Sequence, residues 1–213
     1  MPSIYQLKPA FQNLLRPFVK KLNNIGCTAN QITLLAMFLS LAISLFIYLY
    51  FQKSSPANLL ILLIYPIWML IRMAFNAIDG MLAREFNQQS HLGAFYNELC
   101  DVIADTALFV SLIVFPSINP TLLLFMIFLS ILSEYTGVMA PLIGQKRRYD
   151  GPMGKSDRAF WTSVIALIII VQSIIHFSFI TLTYINNTIL SIIILLLLIT
   201  IYNRIKNSIT LKG

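Results

Sequence analysis

Charge is what this sequence has least of. Only 11% of its 213 residues are Asp, Glu, Lys or Arg, while 58% are hydrophobic. Soluble globular chains carry about a quarter charged residues, so a water-soluble domain is excluded. Cysteine is almost as scarce: Cys27 and Cys100 are the only two. They lie in different settings and lack metal-ligand spacing, which excludes a disulfide framework or a zinc site and leaves two small buried or interfacial side chains. The two histidines, His91 and His176, have no partners at ligand spacing and are assigned no chemistry. No hydrophilic stretch is long enough for a second domain, so residues 1–213 read as one membrane domain.

What is present is apolar, with a mean hydropathy of +0.79. The apolar stretches are continuous rather than alternating. A bilayer offers backbone groups no water, so continuous spans must be helices. The expected fold class is all-α, a polytopic bundle of six transmembrane helices over residues 31–202. The spans run roughly over Gln31–Phe51, Asn58–Ile78, Leu92–Phe115, Thr121–Pro141, Phe160–Phe179 and Ile185–Tyr202. Each is close to the ~20 residues that cross a ~30 Å hydrocarbon core. The first begins too far along, and runs too long, for a cleaved signal peptide.

Residues 1–25 have a different pattern. Ile4, Leu7, Phe11, Leu14, Leu15, Phe18 and Leu22 recur at three- and four-residue steps, with Lys8, Arg16, Lys20 and Lys21 between them. This predicts an amphipathic interfacial helix with a basic face, bent at Pro9 or Pro17, that anchors the chain or shapes a substrate entrance. Of the 15 Lys and Arg, only Lys53 follows the first span before the second; the others fall on the opposite side. Short basic loops stay in the cytoplasm, so both termini are expected there.

The acidic residues carry the chemistry. Of eight, Glu98, Asp101, Asp105 and Glu134 fall inside expected spans, and Asp79 ends the second. Ionisable groups inside a membrane mark function. Asn76, Asp79, Gly80 and Ala83 share one helical face, as do Asn97, Asp101 and Asp105 on the next helix. Oxygen ligands facing each other across a short turn suit a hard divalent ion such as Mg2+, Mn2+ or Ca2+. Gly80 and Ala83 leave room for a base or a pyrophosphate, or for close helix packing. Arg84 adds a cation that binds phosphate oxygens bidentately.

Asn76-Ala-Ile-Asp79-Gly80-Met-Leu-Ala83-Arg84, then Gly93, Asn97 and Asp101, resembles the CDP-alcohol phosphotransferase signature D-x2-D-G-x2-A-R-x8-G-x3-D-x3-D. Six of the eight fixed positions match at the right spacing. More closely, the chain resembles the YnbA-type bacterial subgroup. The resemblance implies six membrane helices with a cytoplasmic site in the bacterial inner membrane, and a homodimer. Its activity would be transfer of a substituted phosphate group from a CDP-alcohol such as CDP-diacylglycerol to a small alcohol, with release of CMP. The resemblance also implies that Asn76, Asp79, Asn97 and Asp101 hold Mg2+ or Mn2+. Asp101 would be the general base, and Gly80, Ala83, Arg84 and Gly93 would bind the CDP moiety. The family's P-N-x-x-T element appears as Ala29-Asn30-Gln31-Ile32-Thr33, which adds Asn30 and Thr33 to the nucleotide residues. Membrane lipid is an expected partner and nucleic acid is not.

Two departures matter. The first and third aspartates of the signature are Asn76 and Asn97, which reduces four formal negative charges to two. Weaker metal binding, or one ion in place of two, follows. Glu98 points about 100° away from Asn97 on the helix, and Asp105 lies about 12 Å along it. A catalytically silent homologue that binds a CDP-lipid or a protein is therefore the alternative to an enzyme. A transporter is disfavoured, because the acids cluster near one face rather than at mid-membrane.

On the acceptor side, the turn from Gln145 to Arg158 holds five cations. Lys146, Arg147 and Arg148 read as orientation signals. Lys155 and Arg158 begin a helix that Ser156 or Asp157 can cap, and they are expected to bind an anionic group on a phosphorylated acceptor. Glu134 is expected to pair with a basic residue or to line the acceptor cavity.

Overall fold

The computed structural model describes residues 8–53 and 58–210, with side chains from Phe11 onward. Seven α-helices run in chain order: α1 (Lys8–Asn24), α2 (Ala29–Gln52), α3 (Ile64–Glu85), α4 (His91–Ser111), α5 (Pro120–Met139), α6 (Lys155–Ile175) and α7 (Phe179–Thr210). Among the described residues there is no strand.

Local chemistry sets the helix ends. Thr28 and Gln31 form a reciprocal capping box at the start of α2, with Gln31 N–H donating to Thr28 Oγ1 at 3.3 Å and Thr28 N–H to Gln31 Oε1 at 2.9 Å. Ser90 Oγ accepts from Gly93 N–H at 2.9 Å at the start of α4. Asn119 caps α5 ahead of Pro120 at its first position, where a missing N–H costs nothing. At the start of α6, Asp157 reaches back to Gly154 N–H at 2.9 Å, so Asp157 rather than Ser156 satisfies that end. His176, in the left-handed conformation, ends α6 earlier than the apolar run suggested.

Among the described residues five helices, against the six expected spans, are long and apolar enough by length and composition to cross a membrane. The third expected span, Leu92–Phe115, is the exception. It folds as α4 over 21 residues, but Glu98, Asp101 and Asp105 interrupt its apolar length. Beyond the last expected span, α7 continues to Thr210, and Arg204 in this extension turns inward and is buried.

The bundle has a polar end and an apolar end. At the polar end the turn between α3 and α4 meets the start of α2, where Ala29 N–H donates to Gln88 Oε1 at 2.7 Å. The segment before α6 meets the last turns of α7, where Met153 N–H donates to Thr200 Oγ1 at 3.0 Å. Gly151 makes this approach possible: its φ is +118°, and a Cβ there would lie 2.6 Å from Thr200 Cα. At the apolar end, Tyr65, Trp68, Leu108, Leu112, Met126, Ile165 and Ile193 belong to the main core. Outward-facing Phe38, Leu45, Leu70, Phe128 and Leu195 are exposed, the reverse of a soluble surface and suited to lipid.

The amphipathic α1 contains Pro17 and packs on α3. Val19, with Leu15 and Leu22, meets Ile78, Met81 and Leu82, while Phe11, Leu14 and Phe18 stay exposed. Arg16 binds both carboxylate oxygens of Glu85, at 3.2 and 3.1 Å, which lifts its guanidinium further above the ordinary value. Ile4 and Leu7 lie outside the described residues.

Candidate active site

A cavity of about 530 Å3 opens at the polar end, between the start of α2, the end of α3 and the first turns of α4. Asn30, Thr33, Asp79, Gly80, Ala83, Arg84, Gly93 and Asn97 all line it. The six residues expected from the sequence to meet the nucleotide thus share one wall space, drawn from three helices.

The contacts explain the residue types. Thr33 Oγ1 lies 2.8 Å from Asp79 Oδ2 and 3.1 Å from the Ala29 carbonyl, so the hydroxyl pins the buried carboxylate (5% exposed) to α2. Gly80 lies under the Arg84 side chain: a Cβ would stand 2.9 Å from Arg84 Nη2. At Gly93 a Cβ would stand 2.7 Å from Asn30 Oδ1, so α4 can come this close to Asn30 only as glycine. Gln88, which the sequence did not single out, ties the floor together: it accepts from Ala29 N–H and donates to Asn23 Oδ1 at 3.0 Å.

The four expected metal ligands are divided. Asp79 and Asn97 line the large cavity. Asn76 instead borders a small cavity of about 30 Å3 with Arg72, Asp105 and Lys155. Asp101 is buried, and both of its oxygens face cations: Arg72 Nη2 at 3.1 Å from Oδ1 and Lys155 Nζ at 2.7 Å from Oδ2. Asp105 binds Arg72 through Oδ1 and has Arg158 Nη2 3.7 Å from Oδ2. Among the described residues no three His, Cys, Asp or Glu converge as a ligand group. By type the donors, two carboxylates and two amides, are the hard oxygens that a divalent ion such as Mg2+ or Mn2+ takes.

Deeper on the α5 side lies a second charged cluster. Glu134 receives Arg158 Nη2 at 2.9 Å, Arg147 Nη2 at 3.1 Å and Arg204 Nη1 at 3.5 Å. Arg147 also meets Glu98 at 2.6 Å. Arg158 Nη1 donates to Ser133 Oγ at 3.2 Å, and Arg204 Nη1 to the Ser133 carbonyl. Gly137 admits this packing, since a Cβ there would lie 2.7 Å from the Arg148 carbonyl. Glu134 therefore pairs as expected, but with three arginines. Lys155 and Arg158, expected to hold an anionic acceptor group, face Asp101 and Glu134.

Arg72, Arg147 and Arg204 are the residues that sequence reasoning missed as parts of the site. For Arg72 a signal existed, because it interrupts the second expected span and an unpaired cation there is untenable. For Arg147 and Arg204 no local pattern gave their partner, which lies 13 and 70 residues away in sequence.

Residues 27–208 match the model of the CDP-alcohol phosphatidyltransferase family. The chain is 48% identical over 157 residues to the inner membrane protein YnbA of Escherichia coli (strain K12), covering 74% of this chain and 75% of YnbA. Its fold matches solved structures of the phosphatidylinositol phosphate synthase PgsA1 of Mycobacterium tuberculosis at 20% identity. One, with CDP-DAG bound, has a TM-score of 0.69 and covers 91% of this chain and 92% of that one. Another, in complex with manganese and citrate, has a TM-score of 0.70 and covers 91% and 88%. The chain belongs to the CDP-alcohol phosphatidyltransferase family.

Proposed function

We propose that this family member transfers a phosphatidyl or related substituted phosphate group from a CDP-alcohol, CDP-diacylglycerol foremost, to the hydroxyl of a small alcohol, releasing CMP. The observation that carries this reading is the 530 Å3 cavity, which gathers Asn30, Thr33, Gly80, Ala83, Arg84 and Gly93 around buried Asp79. Its volume falls in the range of small-molecule sites. The CDP-DAG bound by the fold relative PgsA1 supports a CDP-lipid as the donor.

The chain's own groups divide the work. Gly80 and Ala83 keep the α3 wall low, so the pyrophosphate approaches the backbone while Arg84 grips its oxygens. Asp79 and Asp101, with the amides of Asn76 and Asn97, would hold Mg2+ or Mn2+. A divalent ion there supplies positive charge to the pyrophosphate oxygens. Asp101 takes the proton from the acceptor hydroxyl as its oxygen bonds to the lipid-side phosphorus, and the bond from that phosphorus to the CMP oxygen breaks. Arg72 and Lys155 orient the Asp101 carboxylate and compensate its charge away from water.

The bundle sits in the bacterial inner membrane with both termini and the cavity at the cytoplasmic face, supported by the basic polar end. A homodimer and membrane lipid complete the expected partners. A second reading, a silent homologue that binds a CDP-lipid or a protein, is favoured by Asn76, Asn97 and the two cations on Asp101. Incubation of purified protein with CDP-diacylglycerol, Mg2+ or Mn2+ and a panel of alcohols decides between them. Metal-dependent CMP release is expected; none with any acceptor would establish the silent homologue.

A further inference from the structure

Glu134 holds Arg158, one of the two cations expected to bind an anionic group on the acceptor. Its carboxylate, 4% exposed, is met by Arg158 at 2.9 Å, Arg147 at 3.1 Å and Arg204 at 3.5 Å. The neighbouring cations face carboxylates too: Lys155 meets Asp101, and Arg147 also meets Glu98. From this arrangement we infer that Glu134 fills the anion seat of the acceptor pocket, so that the enzyme takes an uncharged alcohol and discriminates against a phosphorylated one. The inference rests on the transferase reading of the adjacent cavity and names its acceptor class.

Three physical points carry it. A phosphate monoester is recognised by guanidinium forks in bidentate contact, and here the forks already face carboxylates. Arg158 and Glu134 are enclosed in the bundle, 1% and 4% exposed, so a phosphate reaches Arg158 only by displacing the carboxylate. To make room, Glu134 would have to leave its three partners inside the bundle, and stripping partners from a buried charge is strongly unfavourable. A phosphate seated beside Glu134 would instead meet a like charge at close range. An uncharged hydroxyl compound makes neither demand, because it needs hydrogen bonds and no compensating cation.

The test uses matched acceptors that differ only in phosphate, glycerol against glycerol 3-phosphate, with full-length protein and CMP release as readout. The wild type is expected to show the higher kcat/KM with glycerol. Glu134→Gln keeps the shape and an acceptor oxygen but removes the charge. It should move the ratio toward glycerol 3-phosphate by roughly tenfold or more, the scale of one charge-assisted contact. A wild type that prefers glycerol 3-phosphate, or a folded Glu134→Gln that leaves the ratio unmoved, overturns the inference. Equilibrium dialysis with inorganic phosphate reads the same seat without turnover. Weak binding by the wild type and stronger binding by Glu134→Gln support the inference, and tight binding by the wild type overturns it. Absence of CMP from every acceptor would remove the transferase reading alone, since phosphate binding still decides the role of Glu134. If Glu134→Gln does not fold, the two wild-type measurements decide.

Discussion

At the scale of single residues, the site is governed by charges that compensate one another out of water. Arg72 is the plainest case, since it is buried and holds both Asp101 and Asp105. Replacing it with Met leaves two carboxylates short of a partner, so Arg72→Met should destabilise the fold by about 3–5 kcal/mol. A fall in the thermal unfolding temperature in detergent would register it, and an unchanged value would contradict the pairing. Asp101→Asn is expected to abolish CMP release while nucleotide binding persists, because Asp101 lies outside the cavity wall that holds the nucleotide residues. Retained turnover would end its role as base. The missing charges are testable in reverse. Asn97→Asp adds a carboxylate to the cavity wall and should tighten Mn2+ binding by roughly tenfold, one charge-assisted contact's worth, measured by electron paramagnetic resonance of free Mn2+.

Between helices, glycines set the distances that matter. Gly93 lets α4 approach Asn30 at the start of α2, and a methyl group there would enter the space of Asn30 Oδ1 at 2.7 Å. Gly93→Ala should therefore raise the KM for the CDP-lipid severalfold while the protein still folds, since the amide of Asn30 can rotate away. Steady-state kinetics at saturating acceptor would check it. The same logic applies to α1, whose buried Val19 packs against Ile78, Met81 and Leu82 of α3. Val19→Asp places a carboxylate in that apolar seam, and protease cleavage of α1 in the folded protein is the expected consequence. These two effects were unequally visible beforehand. The amphipathic run from Phe11 to Leu22 announces α1 through its periodicity, but nothing near Gly93 in sequence names Asn30, 63 residues earlier, as its neighbour.

Considered as a whole, the molecule separates an apolar body, whose outward side chains suit lipid, from a polar end that gathers its buried ions. That asymmetry predicts an orientation. With Cys27 replaced by Ser to remove the accessible native thiol and Lys53 replaced by Cys, a membrane-impermeant thiol reagent should label intact spheroplasts. With Lys146 replaced by Cys, it should label only inverted vesicles, and the opposite pattern would invert the proposed topology. The helical class and the one-ended charge distribution were legible in composition and periodicity, because a bilayer imposes the same demand on every spanning segment wherever it lies. The signature from Asn76 to Asp101 was legible too, since its spacing places side chains on helix faces that any straight helix would share. Partnership was not legible. Whether Asp101 faces a metal, Lys155 or Arg72, and whether Arg158 waits for an acceptor or holds Glu134, depends on which helices lie side by side and how far each is rotated. Those are properties of packing between segments tens of residues apart. Local sequence determines where a charge sits along its own helix, and only the assembled bundle determines which opposite charge it meets.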